Sequence, residues 1–120
     1  VNHPNFGLLC DMGNFLCVDE DPVHALSLAA PYAFYAHAKD FLVKSGNGED
    51  PGKGFFTSRG GNYLRGTIIG HGVVPVRQCL RILKQAGYDG AVAIEFEGPE
   101  EVLEGISTGL ENLRRYAREL

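Results

Sequence analysis

The chain has 120 residues, of which 44% are hydrophobic, 22% charged and 10% aromatic, a globular mixture that allows one domain with a modest core and argues against disorder. Eleven Lys plus Arg against fifteen Asp plus Glu leave a net charge of −4, so no diffuse basic field exists to collect nucleic-acid phosphates or anionic lipid. No apolar run approaches the ~20 residues that span a bilayer, and Val1-Asn2-His3-Pro4 is unlike a signal segment. Three cysteines (Cys10, Cys17, Cys79) lack any disulfide or zinc-site spacing. Together these features predict a cytoplasmic protein with neither a nucleic-acid nor a membrane partner.

Phe6-Gly7-Leu8-Leu9-Cys10 is a continuous apolar run that stops at Asp11-Met12-Gly13-Asn14, as a strand buried on both faces stops at a polar loop. Asp21-Pro22 then opens a short helix, with Asp as N-cap, Pro at the first helical position and Val23, Leu26 and Ala30 at helical spacing before Pro31. Ala33 to Lys39 reads as a second strand that ends at Asp40. From Phe41 to Gly72 the turn-rich stretches Ser45–Gly52 and Arg59–Asn62 predict a long loop, with a small hairpin around Tyr63 to Ile69. Pro75 starts a second helix whose apolar stripe is Val76, Cys79, Leu80 and Leu83, with Gly87 as its left-handed cap and Cys10 and Cys79 as small core residues. Ala91 to Glu97 is a third strand, followed by a long helix from Pro99 with Val102, Leu103, Ile106, Leu110, Leu113 and Ala117 on one face. Glu100 and Glu101 in its first turn and Arg114, Arg115 and Arg118 in its last suit the helix dipole.

The order β-α-β-loop-α-β-α implies right-handed crossovers and a parallel α/β sheet, and three strands are too few to close a barrel. Ligands of such sheets sit at the carboxyl ends of the strands, and here those ends carry Asp11, His37 and Glu95. Two carboxylates and an imidazole suit one Mn²⁺, Mg²⁺, Co²⁺ or Zn²⁺ ion and leave positions for substrate oxygens. Each residue alone reads equally as a solvated strand end; their recurrence on all three strands is the signal. Alternation adds Lys39 beside His37 and Glu97 beside Glu95. Lys39 is a candidate for an anionic or developing enolate oxygen, whereas Glu97 reads as a supporting or surface group.

Asp11-Met12-Gly13-Asn14, His37-Ala38-Lys39-Asp40, Gly70-His71-Gly72 and Gly87-Tyr88-Asp89-Gly90 before Ile94-Glu95-Phe96-Glu97, in this order and spacing, resemble the last three βα units of the sugar phosphate isomerase/epimerase family, the xylose isomerase-like TIM barrels. The resemblance implies that residues 1–120 are the C-terminal part of a single TIM (β/α)8 barrel domain, incomplete as it stands, with a long loop over 41–72. It implies a divalent metal held by Asp11, His37 and Glu95, with a further Glu on an earlier strand to which nothing here corresponds. Glu95 would then also be one half of an acid/base pair that moves a proton on the carbon next to a carbonyl. Asn14 stands where relatives often carry a substrate-contacting His, and can hydrogen-bond a sugar hydroxyl but not titrate. A substrate-contacting Arg is expected in the loop after the His-bearing strand, where Arg59 and Arg65 are available and Arg65 is preferred.

The expected function is that of a sugar or sugar-phosphate isomerase or epimerase. Its partners are a small sugar substrate and either the N-terminal barrel segment or further copies of the chain, and 120 residues alone are expected to be inactive. A competing reading is the apurinic endonuclease branch of the same barrel, which cleaves phosphodiesters with a metal cluster. It requires a basic groove and an Asp-Arg-His run where this chain has Arg65-Gly66-Thr67-Ile68-Ile69. A third reading is a non-catalytic assembly module in which the ligand residues are relics. Gly52-Lys53-Gly54 lacks the earlier Gly and the following Ser or Thr of a phosphate loop.

Overall fold

The computed structural model describes residues 1–120. Its first layer is a three-stranded parallel sheet, β1 (Leu8–Asp11), β2 (Ala33–Ala38) and β6 (Val92–Ile94), in the order β1-β2-β6. The second layer is three helices on one face: α1 (Pro22–Ala29), α2 (Val76–Gln85) and α3 (Val102–Arg118). Strand alternation decides which side chains meet them. Cys10, Ala36 and Ala38, joined by Val92 and Ile94, enter the core with Leu26, Val76, Cys79, Leu83 and Leu113. On the opposite face Leu9 is 54% and Tyr35 41% exposed, so the sheet has one covered and one open side. This is a partial α/β barrel wall, with the parallel strands and crossover helices that the sequence predicts. No helix is long and apolar enough to cross a membrane.

Helix signals are obeyed where they are local. The Asp21 side chain accepts from the His24 amide at 2.7 Å, with Pro22 as first helical residue, and Gly87 closes α2 at φ 82°. Burial pushes the Cys79 thiol up to about 12, as expected of a core residue. α1 stops at Ala29, before Pro31 as expected, and Pro31 lies in a 3-10 turn, Ala30–Tyr32, that leads straight into β2.

Four expectations are corrected. Asp11 belongs to the first strand rather than to the loop after it, because the parallel register pairs it with His37. The third strand keeps only Val92–Ile94 plus one further ladder bond, Glu95 N to Ala38 O at 3.0 Å. The last helix begins at Val102, not Pro99: the Glu101 carboxylate caps it by accepting from the Leu103 and Glu104 amides. Its inward face is Gly105, Gly109 and Leu113, while Val102, Leu103 and Ile106 stay 56%, 76% and 41% exposed. Glycines let the helix approach closely, since a side-chain carbon at 105 would lie 2.6 Å from the Phe96 ring.

The largest correction concerns 41–72, which is mostly sheet. Strands β3 (Asp40–Lys44), β4 (Phe56–Thr57) and β5 (Tyr63–Thr67) form an antiparallel sheet in the order β3-β5-β4. The hairpin expected over Tyr63 to Ile69 is a single strand, which pairs with Phe56–Thr57 and, across five positions, with Asp40–Lys44, some twenty residues earlier. One residue, Lys39, separates β2 from β3. The turn between the two sheets is held by Asp40, whose side chain is buried and accepts from the amides of Phe41, Gly70, Gly72 and Val74 at 2.9–3.0 Å. Burial pushes the Asp40 carboxyl up, and the four amides oppose that push.

A second carboxylate ties the outer edge of the small sheet to the loop after β1. Asp19, at φ 60°, accepts from Ser58 Oγ at 2.6 Å, Asn62 Nδ2 at 2.8 Å and the Gly60 amide, while Arg59 N donates to the Cys17 carbonyl. These bonds, Ser58's first, hold Asp19 below its ordinary value.

Asp40→Ala leaves three amides of the 70–74 turn without acceptors and is expected to cost about 3 kcal/mol or more in urea unfolding. Because the Asp19 value is depressed in the folded chain, its contribution is present above 3.8 and lost as pH falls through the lower folded value. The Gly60 amide resonance is therefore expected to titrate with a midpoint below 3.8, and Asp19→Asn to abolish that transition.

Candidate metal centre

Asp11 and His37 are paired across β1 and β2, and His37 is paired with Ala93 of β6. Glu95, two residues beyond Ala93, points to the same face. Three adjacent strands thus deliver one ligand atom each, all within 4.8 Å of one another. His37 Nδ1 lies 3.6 Å from Asp11 Oδ2 and 3.4 Å from Glu95 Oε2, and the Tyr35 ring meets the imidazole edge-on at 5.5 Å.

The two Asp11 oxygens have different surroundings. Oδ1 accepts from the Gly13 and Asn14 amides at 2.9 and 2.8 Å, which fixes the carboxylate plane. Oδ2 is buried and has no hydrogen-bond donor. A buried carboxylate oxygen beside a second carboxylate needs a proton or a cation between them. Burial raises the Asp11 carboxyl, whereas the adjoining Asp11 carboxyl, helped by the Lys39 ammonium, lowers Glu95. Two carboxylate oxygens and an imidazole nitrogen thus face one point, a donor set that fits a divalent cation.

Lys39 and Glu97 converge on the same place, as strand alternation predicts. Lys39 Nζ is 2.7 Å from Glu97 Oε2 and 3.3 Å from Glu95 Oε2, with its side chain only 5% exposed. Burial alone would lower this ammonium, but the Glu97 and Glu95 carboxylates outweigh it and hold it above its ordinary value. Asn14 is exposed at the same rim, its amide already bonded to Asp11. Arg65 is placed elsewhere: its guanidinium lies over the Phe55 ring at 5.6 Å and 3.9 Å from Glu100, which also accepts from Thr67 Oγ1. Glu100 is the only carboxylate within 4.0 Å of Arg65. The intervening Gly66 points the other way, where a side-chain carbon would come 2.5 Å from the Glu97 carbonyl oxygen. Arg59 and His71 are exposed loop residues.

Comparison with known proteins accords with this geometry. The family described as xylose isomerase-like TIM barrel matches residues 1–116. The chain belongs to that family. Among solved structures, it is similar to a xylose isomerase domain protein from Planctomyces limnophilus, with a TM-score of 0.76 and 28% identity over 99% of this chain and 40% of that one. The IolI protein with a bound zinc atom is similar in fold, with a TM-score of 0.69 and 23% identity, again over 99% of this chain and 40% of that one. The chain therefore spans 40% of the length of each of these xylose isomerase-like barrels. No curated protein matches.

A carboxyl raised on folding stabilises fully only below its ordinary value, so Asp11's own contribution is lost as pH rises from 3.8 through its raised value. Asp11→Asn, which keeps the acceptor for Gly13 and Asn14, is expected to remove that loss and raise the metal-free Tm at neutral pH. Excess Mn²⁺ should raise the Tm of the unsubstituted chain and leave that of Asp11→Asn unchanged.

Proposed function

We propose that this chain is the ligand-bearing wall of a divalent-metal-dependent sugar or sugar-phosphate isomerase or epimerase. The observation that carries the reading is the donorless, buried Asp11 Oδ2, set with His37 Nδ1 and a Glu95 oxygen at the carboxyl ends of adjacent parallel strands. Asp11, His37 and Glu95 would hold one ion, Mn²⁺, Mg²⁺, Co²⁺ or Zn²⁺. Bound there, the ion would polarise the vicinal oxygens of a ketose or aldose and acidify the C–H between them.

Glu95 is the catalytic residue of this reading. Its side chain is 37% exposed, and Asp11 and Lys39 keep it ionised, so it can reach a substrate carbon and accept a proton there. A second base on the opposite side of the carbon, needed to return the proton with inversion, is absent from these three strands. Asn14 supplies an amide at the rim for a sugar hydroxyl. Lys39, also expected to touch substrate, is already engaged by two carboxylates, and Arg65 stands 3.9 Å from Glu100 with its buried Nε unpartnered, so we keep Asn14 as the direct contact. Arg65 then serves to anchor the 97–100 segment through Glu100, and Lys39 is taken up below.

The open sheet face, with Leu9 and Tyr35 exposed, and the apolar Val102, Leu103 and Ile106 at the start of α3 support a barrel-completing βα segment as the partner of this wall. That segment is also the natural source of the missing acid/base group. None of the surface concavities is lined by Asp11, His37 or Glu95, which fits a site that closes only with its partner.

Metal analysis of the purified chain, beside Asp11→Ala, His37→Ala and Glu95→Ala, tests the reading. About one divalent ion per chain is expected. Each substitution should weaken binding by more than the roughly 10–100-fold that loss of a supporting partner costs. With the remaining strands restored, incubation with ketoses in D₂O should place deuterium on the carbon next to the carbonyl, and Glu95→Gln should abolish it. A restored barrel that takes up no metal would favour the assembly-module reading.

A further inference from the structure

Lys39 and Glu97 lie outside the three ligands, yet both act on them through one atom. Lys39 Nζ stands 3.3 Å from Glu95 Oε2, the same oxygen that faces His37 Nδ1 at 3.4 Å. A divalent cation at that oxygen and the Lys39 ammonium are like charges competing for one donor in a weakly screened place. Lys39 has nowhere else to go within its own element. Its stem runs beneath Gly13, where a side-chain carbon would come within 3.1 Å of the Lys39 Cβ and Cγ, and the Phe41 ring lies 5.5 Å from Nζ. The next residue, Asp40, is pinned by four amides. The one other anion within reach is Glu97, at 2.7 Å, and its side chain is 55% exposed and so free to follow the ammonium.

Resting on the reading that Asp11, His37 and Glu95 hold a divalent ion, we infer that Glu97 is a positioning residue that draws Lys39 off the metal-ligating oxygen of Glu95. Lys39 shares its ammonium between Glu97, at 2.7 Å, and that oxygen, at 3.3 Å, and a cation held by Glu95 would leave the ammonium to Glu97 alone. Glu97 then sets how easily the centre loads without touching the metal or the substrate. Glycine at 13 and the pinned Asp40 confine the lysine to these two carboxylates.

Calorimetric titration with Mn²⁺, combined with structures of the metal-free variants, tests the inference. Glu97→Gln keeps the shape and removes the charge: affinity is expected to fall about tenfold, the scale of lost supporting partners. Lys39 Nζ is expected to move to within about 3 Å of the Glu95 carboxylate. Glu97→Asp, which keeps the charge, should retain most of the affinity. Adding Lys39→Met to Glu97→Gln should restore the affinity of Lys39→Met alone, because the competitor is gone. A loss that persists in the Lys39→Met background would overturn the inference, since Glu97 would then act directly on the metal. Unchanged affinity in Glu97→Gln would overturn it too. Should the unsubstituted chain take up no Mn²⁺, the ligand reading fails by itself and the metal-free Glu97→Gln structure decides the positioning, with Nζ still 3.3 Å from Glu95 Oε2 counting against it. Circular dichroism reports whether Lys39→Met folds, and the Glu97→Gln arm stands without it.

Discussion

One buried carboxylate organises this chain. Asp40 is 1% exposed, and its two oxygens collect four backbone amides, one from its own strand start and three from a turn some thirty residues later. A carboxylate so buried is tolerable only when it is saturated with donors. The bargain therefore locks three things together: where β2 stops, where β3 starts, and how the chain turns into α2. His37 and Lys39, which immediately precede Asp40, inherit their positions from it.

The candidate metal centre shows the same logic with the opposite sign. Asp11 has one oxygen saturated by the Gly13 and Asn14 amides and one left without a donor, so the residue is rigid but electrostatically unfinished. Glu95 beside it adds a second negative charge, and burial pushes the Asp11 carboxyl up. A structural ion-pair network would have closed this gap with an Arg or a second Lys. Here the single ammonium of Lys39 is shared between Glu95 and Glu97, leaving the Asp11 side open to an incoming cation.

The two faces of the parallel sheet divide stability from function. The helical face is sealed by small and aliphatic residues, Cys10, Ala36 and Ala38 among them, and by a helix that uses Gly105 and Gly109 to come close. The other face carries the candidate ligands and leaves Leu9 and Tyr35 in solvent. The small antiparallel sheet sits at the rim, fastened by Asp19 to the loop after β1 and by the Gly66–Glu97 contact to the end of β6.

Much of this was legible from the residues, for a physical reason. The strands read as largely apolar runs, so the polar residues near their ends, Asp11, His37 and Glu95, mark the carboxyl rim without knowledge of the fold. Caps such as Asp21-Pro22 and Gly87 are equally local, decided by one or two backbone angles. The motifs' order then placed the chain among xylose isomerase-like barrels, which the family match over residues 1–116 bears out. Only the tertiary structure decided the rest. Asp40–Lys44 is a strand because Tyr63–Thr67 pairs with it across a turn-rich gap, and such pairing leaves no periodic trace. The buried face of α3 is made by glycines, which a search for apolar side chains passes over. Lys39 turned inward to Glu95 and Glu97, and Arg65 to Glu100, because a charge chooses its partner by distance in space and not along the chain.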